Sequence, residues 1–181
     1  TEMDVGAFES IYLPKALDPE TLAENNRPVK LKLASLKFYD LIHDVPTNSG
    51  LLTFAKRPKY YFHGAYVQYL KFKGTDIDEL EYAQEFDQPL VYLFKTVDDF
   101  LRYTVSKSKP VPVDGWQERM QSNYPHWPLR ELTVNAIVHR DYQANAPIML
   151  REFSDRIEIT NPGGLYCGVS PDKFPNTTDN R

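Results

Sequence analysis

Glu131, Asn135 and His139 stand four residues apart, and a carboxylate, an amide and an imidazole are groups that hold ions, water or ligands. On an α-helix each step of four advances roughly 40° beyond a full turn, so the three side chains form one narrow stripe. Val134 and Val138 flank it on one side, Leu132 and Ala136 on the other, and Thr133 and Arg140 are expected to face solvent. A polar stripe between apolar flanks reads as a pocket wall, because buried carboxylates and amides need partners. The plainer reading is a wet helix face with Asn135 and His139 bonded to nearby backbone, and the stripe alone favours it.

The segment after the helix changes that balance. Pro147 to Phe153 reads as a strand, Ser154-Asp155-Arg156 as a hairpin turn, and Ile157-Glu158-Ile159-Thr160 as a half-buried strand of alternating residues. Asn161-Pro162-Gly163-Gly164-Leu165 then stops the strand and allows the backbone close to a ligand, although a Pro-Gly-Gly turn alone is most simply a loop.

Taken together, Arg130-Glu131-x-x-x-Asn135-Ala136-x-x-His139-Arg140-Asp141-Tyr142, Asp155-Arg156-Ile157-Glu158-Ile159 and Asn161-Pro162-Gly163-Gly164 resemble the ATP-binding domain at the C-terminal end of transcriptional regulators often labelled RecG-like. That domain is a divergent relative of the Bergerat ATPase fold, which also includes topoisomerase B subunits, sensor histidine kinases and MutL proteins. The resemblance implies ATP and magnesium as cofactors, Glu131 as the catalytic base that activates water, and Asn135 as the residue that helps hold the metal. It places Asn161 where the family has an adenine-reading Asp; the amide still accepts a hydrogen bond but lacks the charge. Gly163, followed by Gly164, matches the first glycine of the turn, while Leu165 takes the place of the second. His139 is read as a hydrogen-bonding residue beside the pocket.

The family continues into a second glycine-rich turn over the phosphates. This chain ends at Asp179-Asn180-Arg181 and has no Walker-type lysine motif, so it is expected to be an excised piece with half of a nucleotide site and little activity. His139-Arg140-Asp141 also resembles a kinase catalytic loop, but Asn145 falls one residue early and the partner motifs are missing.

Pro46 to Leu52 and Gly64 to Gln68 resemble the stretch between the family's AlbA-like DNA-binding domain and its ATPase-like domain. The implied organisation is a connector over 1–29, a mixed α/β linker region over 30–125 and a partial Bergerat-like region over 126–181. DNA would be contacted through a domain this chain does not carry, and a homo-oligomer is a further implied partner. The expected function is ATP-modulated transcriptional regulation. The alternative is a non-enzymatic assembly module with a decayed site.

Composition sets the remaining bounds. The chain has 181 residues, 41% of them hydrophobic, enough for a packed core. No apolar run approaches the ~20 residues of a membrane span. Cys167 is the only cysteine and no secretory leader is seen, which points to the cytoplasm. A net charge of −4 argues against a general nucleic-acid footprint, leaving only local patches. Lys56 to Phe62 mixes bases with aromatics, a composition that suits single-stranded nucleic acid; a solvated loop with its aromatics turned inward is the preferred reading. His43, His63 and His126 show no metal-ligand spacing.

The elements expected to position the stripe are a short helix near Pro19, a helix from Lys30 to Ile42 and a turn at Pro46 to Gly50. A buried strand at Leu51 to Ala55 follows, then strands Tyr66 to Phe72 and Leu80 to Phe86 paired across Gly74. A helix from Pro89 to Val105 and a strand from Gly115 to Asn123 complete them. Together they describe an α/β (α+β) protein with a mixed sheet packed by helices.

Overall fold

The structure is a computed structural model and describes residues 3–114 and 117–164. It begins with α1 (Val5–Ala7), where the Asp4 carboxylate caps the Ala7 N–H. The helix widens through a π-type stretch, Phe8–Tyr12, and continues as α2 (Leu13–Ala16). Asp18 then caps α3 (Pro19–Glu24), with proline in the first turn as expected.

The helix expected to reach Ile42 stops early, as α4 (Val29–Ser35). Lys37 takes φ 62°, and the Phe38 and Lys37 N–H groups bond back to the carbonyls of Leu33 and Ala34. This Schellman closure ends the helix without a glycine. The chain then turns back on itself, pairing β1 (Tyr39–Asp40) with β2 (Val45–Pro46).

Leu51 to Ala55, expected as a buried strand, lies mostly in α5 (Asn48–Phe54). Thr47 caps it through a 3.1 Å bond from the Gly50 N–H, so the supposed turn is the start of the helix. A five-residue apolar run carries no period that separates strand from helix, and the cap decides. The short α6 (Pro58–Tyr61) comes next.

β3 (Val67–Phe72) and β4 (Leu80–Phe86) pair antiparallel as expected. α7 (Leu90–Phe100) runs on helically through Leu101–Val105. β5 (Ser108–Asp114) and β6 (Gln117–Ser122) form a separate ribbon. Only its second strand is expected from the sequence, since Pro110 and Pro112 argue against the first. In a two-stranded ribbon every strand has a free edge, where proline is tolerated. Then come α8 (His126–His139), β7 (Ile148–Glu152) and β8 (Ile157–Thr160).

The main sheet has the order β4-β3-β7-β8, with β3 and β7 parallel and the other pairs antiparallel. A parallel pair needs a long crossover, and this one contains α7 and α8. Leu93, Val97 and Leu101 from the α7 stretch and Ile137 from α8 join Val67, Tyr69, Ile148 and Leu150 of the sheet in one core. The protein is thus a mixed α/β structure whose sheet takes two strands from each side of residue 125. The first 29 residues, read as a connector, instead supply a second core. Phe8, with none of its surface exposed, packs edge-on against Phe54 and Phe38, with Met3, Leu13 and Leu33 around them.

Candidate functional site

α8 packs through Leu129, Thr133, Ala136 and Ile137. Their mean direction lies roughly half a turn around the helix from Glu131. This packing corrects the expected orientation of the helix. Thr133, expected in solvent, is 1% exposed and packed against α7, with its hydroxyl donating 2.8 Å to the Leu129 carbonyl. Val138, expected to flank a pocket, is instead 56% exposed and lies outside the groove lining, whereas Leu132, 59% exposed, lies in it. Apolar residues surround this helix almost completely, so periodicity cannot select the buried face, and tertiary packing does.

Arg140 is a second correction. Expected to face solvent, it is buried beyond the end of α8. Its guanidinium donates to the carbonyls of Gly64, Ala144 and Ala146 and lies over the Tyr142 ring. Burial pulls its pKa below the usual arginine value. Gly64 makes this grip possible: a Cβ there would sit 2.4 Å from the Ala144 carbonyl oxygen and 2.7 Å from the Arg140 guanidinium. Two motif segments 76 residues apart in sequence therefore meet in space.

The next residue ties down the glycine turn. The Asp141 N–H donates 3.0 Å to the Pro162 carbonyl. Gly163 adopts φ 126°, and a Cβ there would press within 3.3 Å of Asp141. The need for glycine at this position is thus local packing as well as backbone conformation. Arg130, the first residue of the motif, turns to α7: its Nε lies 3.2 Å from Asp98, whose carboxylate is 2.8 Å from His126. The Arg130–Asp98 ion pair helps hold α8 against α7.

Between α8 and β8 runs a groove of about 1090 Å³. Leu129, Leu132, Asn135, Ala136 and His139 form one wall, and Arg156, Ile157, Ile159 and Asn161 the other. Asn135, His139 and Asn161 are therefore brought together. Glu131 does not line the groove; it is half-buried at the rim, where its carboxylate accepts a long 3.5 Å bond from the Asn135 amide. Gly163 and Gly164 are exposed and also lie outside the lining. Leu165, Cys167 and the terminal Asp179-Asn180-Arg181 fall outside the described residues.

The polar feature of the groove is Asn161. Its Oδ1 is buried and has no hydrogen-bond partner among the described residues. A buried amide oxygen is costly to leave without a donor, which makes Asn161 the groove residue with acceptor capacity to offer. Asn135 and His139 are exposed. At the other end Tyr124 and Arg156 line the groove, neither of them anticipated. Ile157 and Ile159 are legible through strand alternation, whereas Arg156 looks only like a turn residue. Its guanidinium is held by Glu158 at 2.7 Å, which raises its pKa, and it lies 4.1 Å from the centre of the Phe153 ring.

Among the described residues no group of three His, Cys, Asp or Glu side chains is placed to hold a metal. No helix among them is long and apolar enough to cross a membrane. No protein-family model matches the chain, and no curated protein matches it. A solved structure does: the DIP2311 protein of Corynebacterium diphtheriae, with a TM-score of 0.66 and 18% identity, over 96% of this chain and 33% of that protein. The chain spans about a third of DIP2311, and the likeness is one of fold.

Proposed function

We propose that the groove between α8 and β8 binds an adenine nucleotide as its magnesium complex, and that binding regulates a DNA-linked activity of a larger cytoplasmic protein of the RecG-like type. On this reading the sheet with α7 and α8 is a divergent Bergerat-type layer. The observation that carries it is the Asn161 Oδ1 in the groove lining, buried and without a hydrogen-bond partner among the described residues. An adenine edge offers an amino donor beside a ring-nitrogen acceptor, and an asparagine amide can pair with both. The apolar lining of Leu129, Ala136, Ile157 and Ile159 suits a flat base.

Asn135 is the lining residue that would offer magnesium an oxygen. Its Nδ2 is turned to Glu131, which leaves its oxygen, a hard donor, for an ion that prefers oxygen ligands and keeps several waters. The ion, when bound, neutralises phosphate charge. Arg156 lies five residues from Asn161, roughly 17 Å along an extended strand, a span on the scale of a nucleotide. Glu131 at the rim has the chemistry of a base for water but stands outside the lining, so binding is the primary role and hydrolysis, where it occurs, is slow.

Titration calorimetry of the chain with ADP and magnesium tests this. Asn161→Ala should weaken binding about tenfold, the scale of one lost hydrogen bond to a buried partner. Asn135→Ala should weaken it only when magnesium is present, and Glu131→Gln should leave affinity within about twofold. Equal affinity in all four proteins, or none in the parent, rejects the assignment.

A second reading rests on the exposed Trp127 and Val138 of α8, apolar surface outside the groove lining and suited to assembly. It predicts a dimer in sedimentation that ignores nucleotide and is lost in Val138→Glu.

A further inference from the structure

We infer that a second surface, on the segment joining α5 to α6, binds single-stranded nucleic acid. Lys56, Arg57, Lys59 and Tyr60 line a surface cavity of about 350 Å³ with Asp87, Gln88 and Pro89. The chain as a whole is acidic, but this lining holds three cations against one carboxylate. Lys59 is engaged, paired with Glu85 and set 4.0 Å over the Tyr66 ring. Lys56 and Arg57 are exposed and make no ion pair among the described residues. Two uncommitted cations on a protein of net charge −4 mark a place where anions are attracted locally.

The aromatic beside them distinguishes this patch from an ordinary wet face. Tyr60, expected to turn inward, is 75% exposed. Tyr61 meets it edge-on at 5.2 Å, which supports the ring from one side and leaves a face for a partner. The segment is also stiff. Phe54 and Ala55 before the cations have no exposed surface, and the Pro58 side chain after them is fully buried. Lys56 and Arg57 are thus held between two anchors, and the Tyr60 N–H closes the α6 turn onto the Arg57 carbonyl at 3.1 Å. A fixed aromatic platform beside free cations fits an unpaired base next to its phosphates, since stacking accepts any base and the cations follow the backbone. A duplex offers no free base face, so single strands are the favoured form.

The test is fluorescence anisotropy with a labelled thymidine 20-mer at several salt concentrations, using the whole chain. A pyrimidine strand keeps the groove at Asn161 from contributing through adenine. The inference predicts that the strand binds more tightly than the corresponding duplex and than a polyphosphate of similar length. Tyr60→Leu should weaken binding roughly tenfold with the salt slope unchanged, and Tyr60→Phe should restore it. Lys56→Ala with Arg57→Ala should flatten the log–log salt slope by about 1.4, the value for two phosphate contacts on a single strand. Asn161→Ala should leave binding unaltered, which separates this surface from the nucleotide groove. Circular dichroism melting of each variant checks that the fold is intact. No binding, equal binding of strand and polyphosphate, or indifference to Tyr60→Leu overturns the inference.

Discussion

At the residue scale, the side chain that ties the end of α8 to the Gly64 loop is Arg140, which does not line the groove. Its buried cation is satisfied by backbone carbonyls from both motif segments, and it fixes where α8 ends relative to β3. Arg140→Met would leave those carbonyls without their charged donor and should cost about 3 kcal/mol in urea unfolding. Gly64→Ala should also destabilise strongly, and the double variant should lose less than the sum because both changes break one contact. The sequence marks Arg140 as part of a motif but not as buried. An arginine past a helix end looks solvent-facing until the carbonyls that surround it are in place. Asn161 is the more legible residue: the family resemblance singles it out, and the structure sets it in the lining of the groove.

At the element scale, helix identity and helix orientation are unequally legible. Two residues of the polar stripe, Asn135 and His139, line the groove, yet the helix packs through Thr133 and Ile137 and leaves Glu131 outside the lining. Ile137→Ala should therefore cost about 3 kcal/mol, a core cavity, while Val138→Ala should stay within about 0.5 kcal/mol; thermal melts of the pair distinguish this orientation from the expected one. The β1–β2 turn makes a pH prediction. Asp40 is held below the usual carboxylate pKa first by His43, and Asp44 first by Lys30 and then by Tyr39. A depressed folded pKa means stability present above the unfolded value of ~4 and lost as pH falls below it. Carbon-detected titration should find both carboxylates ionised below that value, and Lys30→Ala should move Asp44 back toward it. Leu51 to Ala55 and the proline-bearing β5 escape sequence reasoning for the reasons their local chemistry gives: a capped helix hidden in a short apolar run, and prolines admitted by free edges.

At the scale of the whole molecule, strand pairing unites what sequence blocks divide. β3 and β7 pair directly, so the glycine turn and the middle segment rest on one sheet. The N-terminal helices enclose the Phe8, Phe38 and Phe54 rings, so Phe8→Ala should cost about 4 kcal/mol rather than the little expected of a connector. Little in the first 29 residues announces this, because the π-type stretch Phe8–Tyr12 breaks the period of the first helix and α3 is too short to show one. The sharpest test concerns the groove. In a ¹⁵N NMR titration with adenosine, the Asn161 side-chain amide should shift most, with weaker changes at Asn135 and His139, and cytidine should have little effect. Shifts that bypass Asn161, or that cytidine reproduces, would contradict a purine-reading groove.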